Sequence, residues 1–112
     1  MGFTHLPNNR YLAGRKMEWE RKKVWEQCCD EVMRTAGSHG KFDLIAVSVS
    51  CPVHLIQCKR AQSEVQAARM LKAFSKNPPL PSSHLYVQVM EVYVPRKGVF
   101  SAAVVEAVTV DV

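Results

Sequence analysis

Two pairs of β-rich segments, separated by a helical segment, constrain the fold of this chain more than any other feature. β-Branched and apolar residues dominate residues 42–49 and 53–59, and again residues 85–94 and 99–108. Between the pairs, residues 61–75 carry apolar side chains at the i, i+3, i+4 and i+7 spacing of a buried helical face. The pattern therefore predicts two strand pairs joined by a helix.

Turn-forming residues divide each pair of strands. Ser50, Cys51 and Pro52 separate the first two segments, and they predict a hairpin turn because Pro52 has no N–H to donate to a strand ladder. The sequence from Pro95 to Gly98 supplies the turn between the last two segments.

The N-terminal third adds a helix, predicted over residues 12–30, and a short strand, predicted over residues 31–36. At 100° per residue, one sector of this region collects apolar side chains: Met17, Val24, Trp25, Cys28, Cys29 and Val32. The order helix, three strands, helix, two strands predicts an α/β domain with a mixed sheet that helices partly cover.

Length and composition limit what this domain can be. The 112 residues, 47% of them hydrophobic, suit one domain over residues 10–112 behind a flexible arm at residues 1–9. No apolar run reaches the roughly 18 residues of a membrane span, and the polar N-terminus does not resemble a signal peptide. We expect a soluble, cytoplasmic protein without a membrane partner.

Charge and cysteine usage narrow the class of partner. The net charge of +5 favours an anionic partner, of which nucleic acid is the usual one, and a basic surface that only confers solubility is the alternative. The four cysteines form no CxxC pair, which argues against a zinc site. Cys28 and Cys29 are expected to be buried as small apolar side chains in a reducing compartment.

Several polar residues stand out against the apolar strands. Asp43 begins a strand directly after a glycine-containing loop, where ligands can reach it; capping of that loop is the alternative role. Gln57 and Lys59 share one face of their strand, while Cys58 and Arg60 face the other. Alternatively, Lys59 lies on an edge strand whose end is exposed to solvent and has no functional role.

Glu18 is the third candidate. It lies seven residues before Trp25, hence on the same helical face, where an unpaired carboxylate is costly unless a metal ion or a cation compensates it. The alternative is a partly exposed glutamate that the helix dipole favours near the first turn.

These residue types together suit a hard cation. Mg²⁺ prefers oxygen ligands in octahedral geometry, and Asp43, the Gln57 side-chain oxygen and the Cys58 backbone carbonyl can supply them. Glu18 can bind directly or through water. Lys59 would lie beside the metal, where an ammonium group can orient a water molecule and stabilise a pentavalent phosphate.

Three segments resemble the archaeal-type Holliday-junction resolvases of the PD-(D/E)XK nuclease superfamily. The first is similar to the family's G-x-x-x-E, the second to R-x-A-G-S-x-G-x-x-D-(L/I)-(I/V)-A, and the third to L-I-E-x-K. In this chain they read Gly14-Arg15-Lys16-Met17-Glu18, then Arg34-Thr35-Ala36-Gly37-Ser38-His39-Gly40-Lys41-Phe42-Asp43-Leu44-Ile45-Ala46, then Leu55-Ile56-Gln57-Cys58-Lys59. The resemblance covers residues 10 to about 75, and the last strands match only in pattern.

The resemblance implies a restriction-endonuclease-like fold and a structure-selective, Mg²⁺-dependent endodeoxyribonuclease that resolves four-way junctions, with Mn²⁺ as a possible substitute. It implies a catalytic and metal-binding set of Glu18, Asp43, Gln57 and Lys59. Ser38 matches a loop serine that members place near the scissile phosphate; a turn serine is the alternative. No small-molecule cofactor is implied.

Two departures from the family pattern bear on activity. Gln57 replaces the usual glutamate, so metal affinity should fall, and a weakened or inactive nuclease stays open. Trp19 stands where many members carry a basic residue, which removes one phosphate contact.

DNA contacts are expected from basic residues along the same segments, made to the backbone rather than to base edges. They are Arg10, Arg15, Lys16, Arg34, His39, Lys41 and Arg60. For Arg34 and His39, exposure to solvent without a DNA contact is the alternative.

The sequence leaves three functions open. They are a junction resolvase, a general or flap-directed nuclease from a phage or mobile element, and a non-catalytic DNA-binding subunit of the same fold. Two cuts on opposing strands require two copies of a one-site chain, which predicts a homodimer. We expect its apolar contact on the second helix and the last strands, at Met70, Leu71, Phe74, Val87, Val89 and Val94.

Overall fold

Two helices and five strands alternate along the chain in a computed structural model that describes residues 9–35 and 41–106, with side chains from residue 14 onward. In chain order they are α1 (Asn9–Glu26), β1 (Glu31–Arg34), β2 (Leu44–Ser48), β3 (Cys51–Arg60), α2 (Glu64–Lys76), β4 (Tyr86–Val94) and β5 (Gly98–Val104). The predicted α/β class and the predicted element order are confirmed. None of the described helices is both long enough and apolar enough to span a membrane.

The five strands form one mixed sheet in the order β1-β2-β3-β4-β5. All neighbours are antiparallel except β3 and β4, which run parallel from Val53↔Tyr86 to Arg60↔Tyr93. Helix α2 connects this parallel pair, since parallel neighbours need a crossover rather than a tight turn. The predicted hairpin between β2 and β3 is confirmed.

Several predicted boundaries were wrong. β3 already begins at Cys51, so Pro52 lies inside the strand and the turn is formed by residues 49 and 50. The register between β2 and β3 shifts between Ala46 and Ser48, and such an irregularity tolerates a residue without an N–H. Helix α1 starts at Asn9, inside the region predicted as an arm; residues 1–8 lie outside the described part.

The sheet separates two cores. The α1-facing core consists of Val32, Leu44, Ala46, Ile56 and Val89, with Trp25, Cys29, Cys58 and Val87 packed against it. The α2-facing core consists of Phe42, Ala61, Ala67, Phe74, Met90, Val92 and Val94, with Leu55, Met70 and Leu71 among its partly buried neighbours. All six residues considered for a dimer contact therefore pack in or against one of these cores.

Helix α1 departs from its predicted apolar sector. Met17 is buried and Trp25 half-buried, as expected, but Val24 is 44% exposed. Cys28 is also exposed, because the helix ends at Glu26 and a helical projection no longer applies beyond it. The prediction of two buried cysteines was therefore wrong for Cys28, while Cys29 is half-buried against the core.

Candidate active site

Asp43 stands where β2 and β3 separate. The two strands pair only as far as Leu44↔Ile56, and β3 continues alone on that edge through Arg60. Asp43 replaces the missing pairing: its N–H donates to the Ile56 carbonyl at 2.8 Å, and its Oδ2 accepts the Cys58 N–H at 2.8 Å. Its two bonds therefore fall on the residues that flank Gln57.

The Cys58 backbone carbonyl shares this edge. In a β-strand the N–H and C=O of one residue point to the same neighbouring strand. Since the Cys58 N–H meets Asp43, its carbonyl points to the same side. The Asp43 carboxylate and this carbonyl therefore lie at the same edge of β3.

The Cys58 thiol has a different environment from its backbone. The side chain packs against the α1-facing core, and burial raises the pKa of the thiol far above its ordinary range. The negative charges of Glu91, Asp43 and Glu18 raise it further. The thiol therefore stays protonated, and the backbone rather than the sulfur is the chemically useful part of Cys58.

Glu18 reaches the same region from α1. Burial raises the pKa of its carboxyl group, and the charge of Asp43 is the next largest cause, so the two carboxylates are within electrostatic range. Arg34 opposes the shift, because its Nη2 lies 3.3 Å from the Glu18 Oε1. The cation expected to compensate Glu18 is thus present as Arg34.

Gln57 and Lys59 lie on the other face of β3. Leu55 and Ala61, which share their alternation, pack in the α2-facing core, whereas Ile56 and Cys58 pack towards α1. Gln57 is half-buried and Lys59 exposed. The structure brings Glu18, Asp43 and Cys58 together, whereas the side chains of Gln57 and Lys59 extend from the opposite face of β3.

The oxygen donors suit Mg²⁺ better than a soft metal. Within the described residues, no three His, Cys, Asp or Glu side chains are clustered to hold a metal ion. Glu18 and Asp43 offer two carboxylates, and Gln57 and the Cys58 carbonyl offer neutral oxygens. A divalent cation would relieve the repulsion between two carboxylates that are within electrostatic range of each other, so these donors fit a magnesium ion.

An ion pair that the sequence did not reveal anchors α1 above this site. Arg21 donates to both oxygens of Glu91, from Nε at 2.9 Å and from Nη2 at 2.7 Å. Glu91 is only 3% exposed, and its hydrogen bond raises the pKa of Arg21. Because Arg21 lies three residues after Glu18, the pair also fixes the helical turn that presents Glu18. The acid inside the apolar segment 85–94 was the available signal.

The predicted DNA-contacting residues divide into three groups. Arg15, Lys16 and Arg60 are exposed, and Lys41 is exposed while its Nζ donates to the Pro79 carbonyl at 3.2 Å. Arg34 is already engaged by Glu18. The Arg10 side chain and His39 lie outside the described part of the chain, and so does Ser38, which was predicted as a catalytic residue.

Trp19 takes part in the Arg34 environment. The Arg34 guanidinium lies 4.6 Å from the centre of the Trp19 ring, and the Lys22 ammonium lies 5.8 Å from it. Trp19 thus makes cation–π contacts with Arg34 and Lys22 beside the site, although it carries no charge itself.

No protein-family model matches this chain, and a search of curated proteins finds no matching relative.

Proposed function

We propose that this protein is a metal-dependent DNA endonuclease with a restriction-endonuclease-like fold of the PD-(D/E)XK type. The observation that carries the proposal is the hydrogen bond from the Cys58 N–H to Asp43, in electrostatic range of Glu18 and on the strand that also carries Gln57 and Lys59. The sequence resemblance and the net charge of +5 support the same conclusion.

Each residue has a defined task in this proposal. Asp43, Glu18, Gln57 and the Cys58 carbonyl would hold Mg²⁺, or Mn²⁺ in its place, which supplies Lewis-acid activation of the phosphodiester. Lys59 is exposed on the same strand, one residue after Cys58, and in this proposal its ammonium orients the attacking water and stabilises charge on the phosphate. Arg15 and Lys16 bind neighbouring backbone phosphates, and Arg60 is a further DNA contact.

The preferred substrate in this proposal is a four-way DNA junction, cut by a homodimer. One candidate site per chain cannot make two cuts on opposing strands at once, so a two-fold pair matches the two-fold symmetry of the junction.

A cleavage assay tests the proposal. A labelled four-way junction and a linear duplex of the same sequence are incubated with the protein, with and without Mn²⁺. Paired nicks in the junction are expected only with metal. Equal cleavage of both substrates would favour a general or flap-directed nuclease instead.

Lys59→Ala tests whether Lys59 acts in cleavage rather than in DNA binding. One cation among 15 lysines and arginines contributes little to a distributed interface, so junction binding should stay within about tenfold. Cleavage should fall about 100-fold or more, because removal of one charge-stabilising group typically costs about 10²–10³ in rate. Cleavage near the parent rate would remove Lys59 from the mechanism.

A second candidate, a non-catalytic DNA-binding subunit of the same fold, is favoured by one observation. The Arg34–Glu18 ion pair neutralises one carboxylate, and the neutral Gln57 occupies the position of another. Tight junction binding without cleavage in either Mg²⁺ or Mn²⁺ would support this candidate.

A further inference from the structure

A cleft between α1 and the ends of β3 and β4 adjoins the candidate active site. It has a volume of about 310 Å³ and is lined by Lys16, Met17, Glu20, Arg60 and Tyr93. This size is at the lower end for small-molecule pockets, about 300–1,000 Å³, and suits a single nucleotide rather than a duplex.

The side chains in the cleft combine a stacking platform with positive charge. The Arg60 guanidinium lies 5.3 Å from the centre of the Tyr93 ring, and the two residues pair across β3 and β4. Arg60 is exposed, so a planar base can stack on this platform. Buried Met17 closes the cleft with an apolar side chain.

Lys16 supplies a contact for a phosphate. It is paired with Glu20 at 3.9 Å, but both side chains are mostly exposed, at 77% and 63%. Such a surface pair is weak, so Lys16 can turn to a phosphate without a large cost.

The location relates the cleft to the candidate site. Arg60 lies two residues after Cys58 on the α1-facing side of β3, and Met17, which lines the cleft, directly precedes Glu18 on α1. A DNA strand that passes through the candidate site therefore meets this cleft within the span of a neighbouring nucleotide.

We infer that this cleft binds one unstacked nucleotide of a DNA strand, with its base on the Arg60–Tyr93 platform and its phosphate at Lys16. The inference rests on the proposed function, because it takes DNA as the partner. It adds a preference for DNA with an unpaired nucleotide beside the cleavage position, such as a distorted branch point or a single-stranded flap.

Binding of a fluorescein-labelled single-stranded decathymidylate, measured by anisotropy, tests the cleft without requiring cleavage. Arg60→Ala and Tyr93→Leu should each weaken binding about tenfold, since base stacking on protein side chains is worth that much or more. Tyr93→Phe keeps the ring and should bind like the parent, and circular dichroism of Tyr93→Leu checks that this variant remains folded.

Arg69→Ala is the matched control for charge. Arg69 is exposed on α2, on the far side of the sheet, so its removal changes net charge equally but leaves the cleft intact. It should weaken binding less than about twofold. An equal loss in Arg69→Ala and Arg60→Ala, or unchanged binding by Tyr93→Leu, would overturn the inference.

A photo-crosslink locates the base directly. A decathymidylate containing 5-iododeoxyuridine should crosslink to Tyr93 on irradiation, as mapped by mass spectrometry, and a crosslink only at Tyr86 would contradict the cleft. The two proposals can fail separately. A crosslink at Tyr93 without any DNA cleavage would support the nucleotide-binding cleft and contradict the nuclease activity. Cleavage without a crosslink at Tyr93 would support the nuclease activity and contradict the cleft.

Discussion

The two helices attach to the sheet in different ways. Helix α2 packs Ala67 and Phe74 into an apolar core, and Ser63 caps its first turn by accepting the Gln66 N–H at 3.1 Å. Helix α1 buries less apolar surface and relies on charged contacts, Arg21 with Glu91 and Glu18 with Arg34. The difference indicates that the α2 layer supplies stability, while the α1 layer uses part of its contact surface to position charges.

Phe74→Ala should have the largest effect on folding. Removal of a buried phenylalanine typically costs about 3–5 kcal/mol through lost burial and the cavity left behind. Chemical denaturation should show this loss, whereas Val65→Ala, an exposed position on the same helix, should change the free energy of unfolding by less than about 0.5 kcal/mol. If the proposed nuclease activity is present, cleavage per folded molecule should be unchanged by either variant, and slower cleavage by the folded Phe74→Ala protein would contradict the division of roles between the two helices.

Glu91→Gln should have an intermediate effect on stability and a clear effect on the site. It leaves Arg21 with one acceptor and without a compensating charge, which should cost about 2 kcal/mol, the order expected for a hydrogen bond to a charged group. Cleavage should also fall, because α1 loses the anchor beside Glu18. Glu26→Gln removes the exposed Lys22–Glu26 pair and is the control, with an expected change below about 0.5 kcal/mol. Unchanged cleavage by Glu91→Gln would show that Glu18 does not depend on this anchor.

Gln57→Glu should leave stability nearly unchanged and lower the Mg²⁺ concentration needed for half-maximal cleavage. A carboxylate binds a hard cation more strongly than an amide does. Metal titrations of both proteins on the same junction measure the shift, with Gln66→Glu on the exposed face of α2 as a control for added charge. Loss of activity in Gln57→Glu, with an active parent, would mean that the amide itself is required.

Glu18→Gln should have a small effect on stability that depends on pH. The folded-state pKa of Glu18 is raised above its ordinary value of 4.5, mainly by burial. Its contribution to stability is therefore present below pH 4.5 and is lost as the pH rises through the folded-state pKa. The amide of the variant does not titrate, so the stability of Glu18→Gln relative to the parent should increase over that interval. Denaturation midpoints from about pH 4 to about pH 7 test the sign, and a relative decrease with pH would contradict it.

The difference between apolar packing at α2 and charged contacts at α1 also explains which features the sequence could predict. Apolar periodicity located α2 and the strands, because Phe74 and Val92 follow the regular spacing of a buried face. Alternation also placed Cys58 and Lys59 on opposite faces of β3. The charged contacts escaped prediction because they join residues distant in sequence: Arg34 with Glu18 across 16 positions, and Arg21 with Glu91 across 70. The exposure of Val24 was not predicted, because the faces of α1 differ too little in hydrophobicity to show which of them packs on the sheet.

The parallel pairing of β3 and β4 has a consequence for how the protein folds. Each antiparallel hairpin closes a short loop, but Val53 must find Tyr86 through the whole length of α2, and such distant pairing is slow. Asp43 and Cys58 lie within one hairpin, so their contact can form in an early, local unit. Glu91 belongs to the late strand, so the anchor of α1 through Arg21 completes only when the crossover has closed. We therefore expect the hairpin that carries Asp43 and Cys58 to form before the helix that carries Glu18 packs against it.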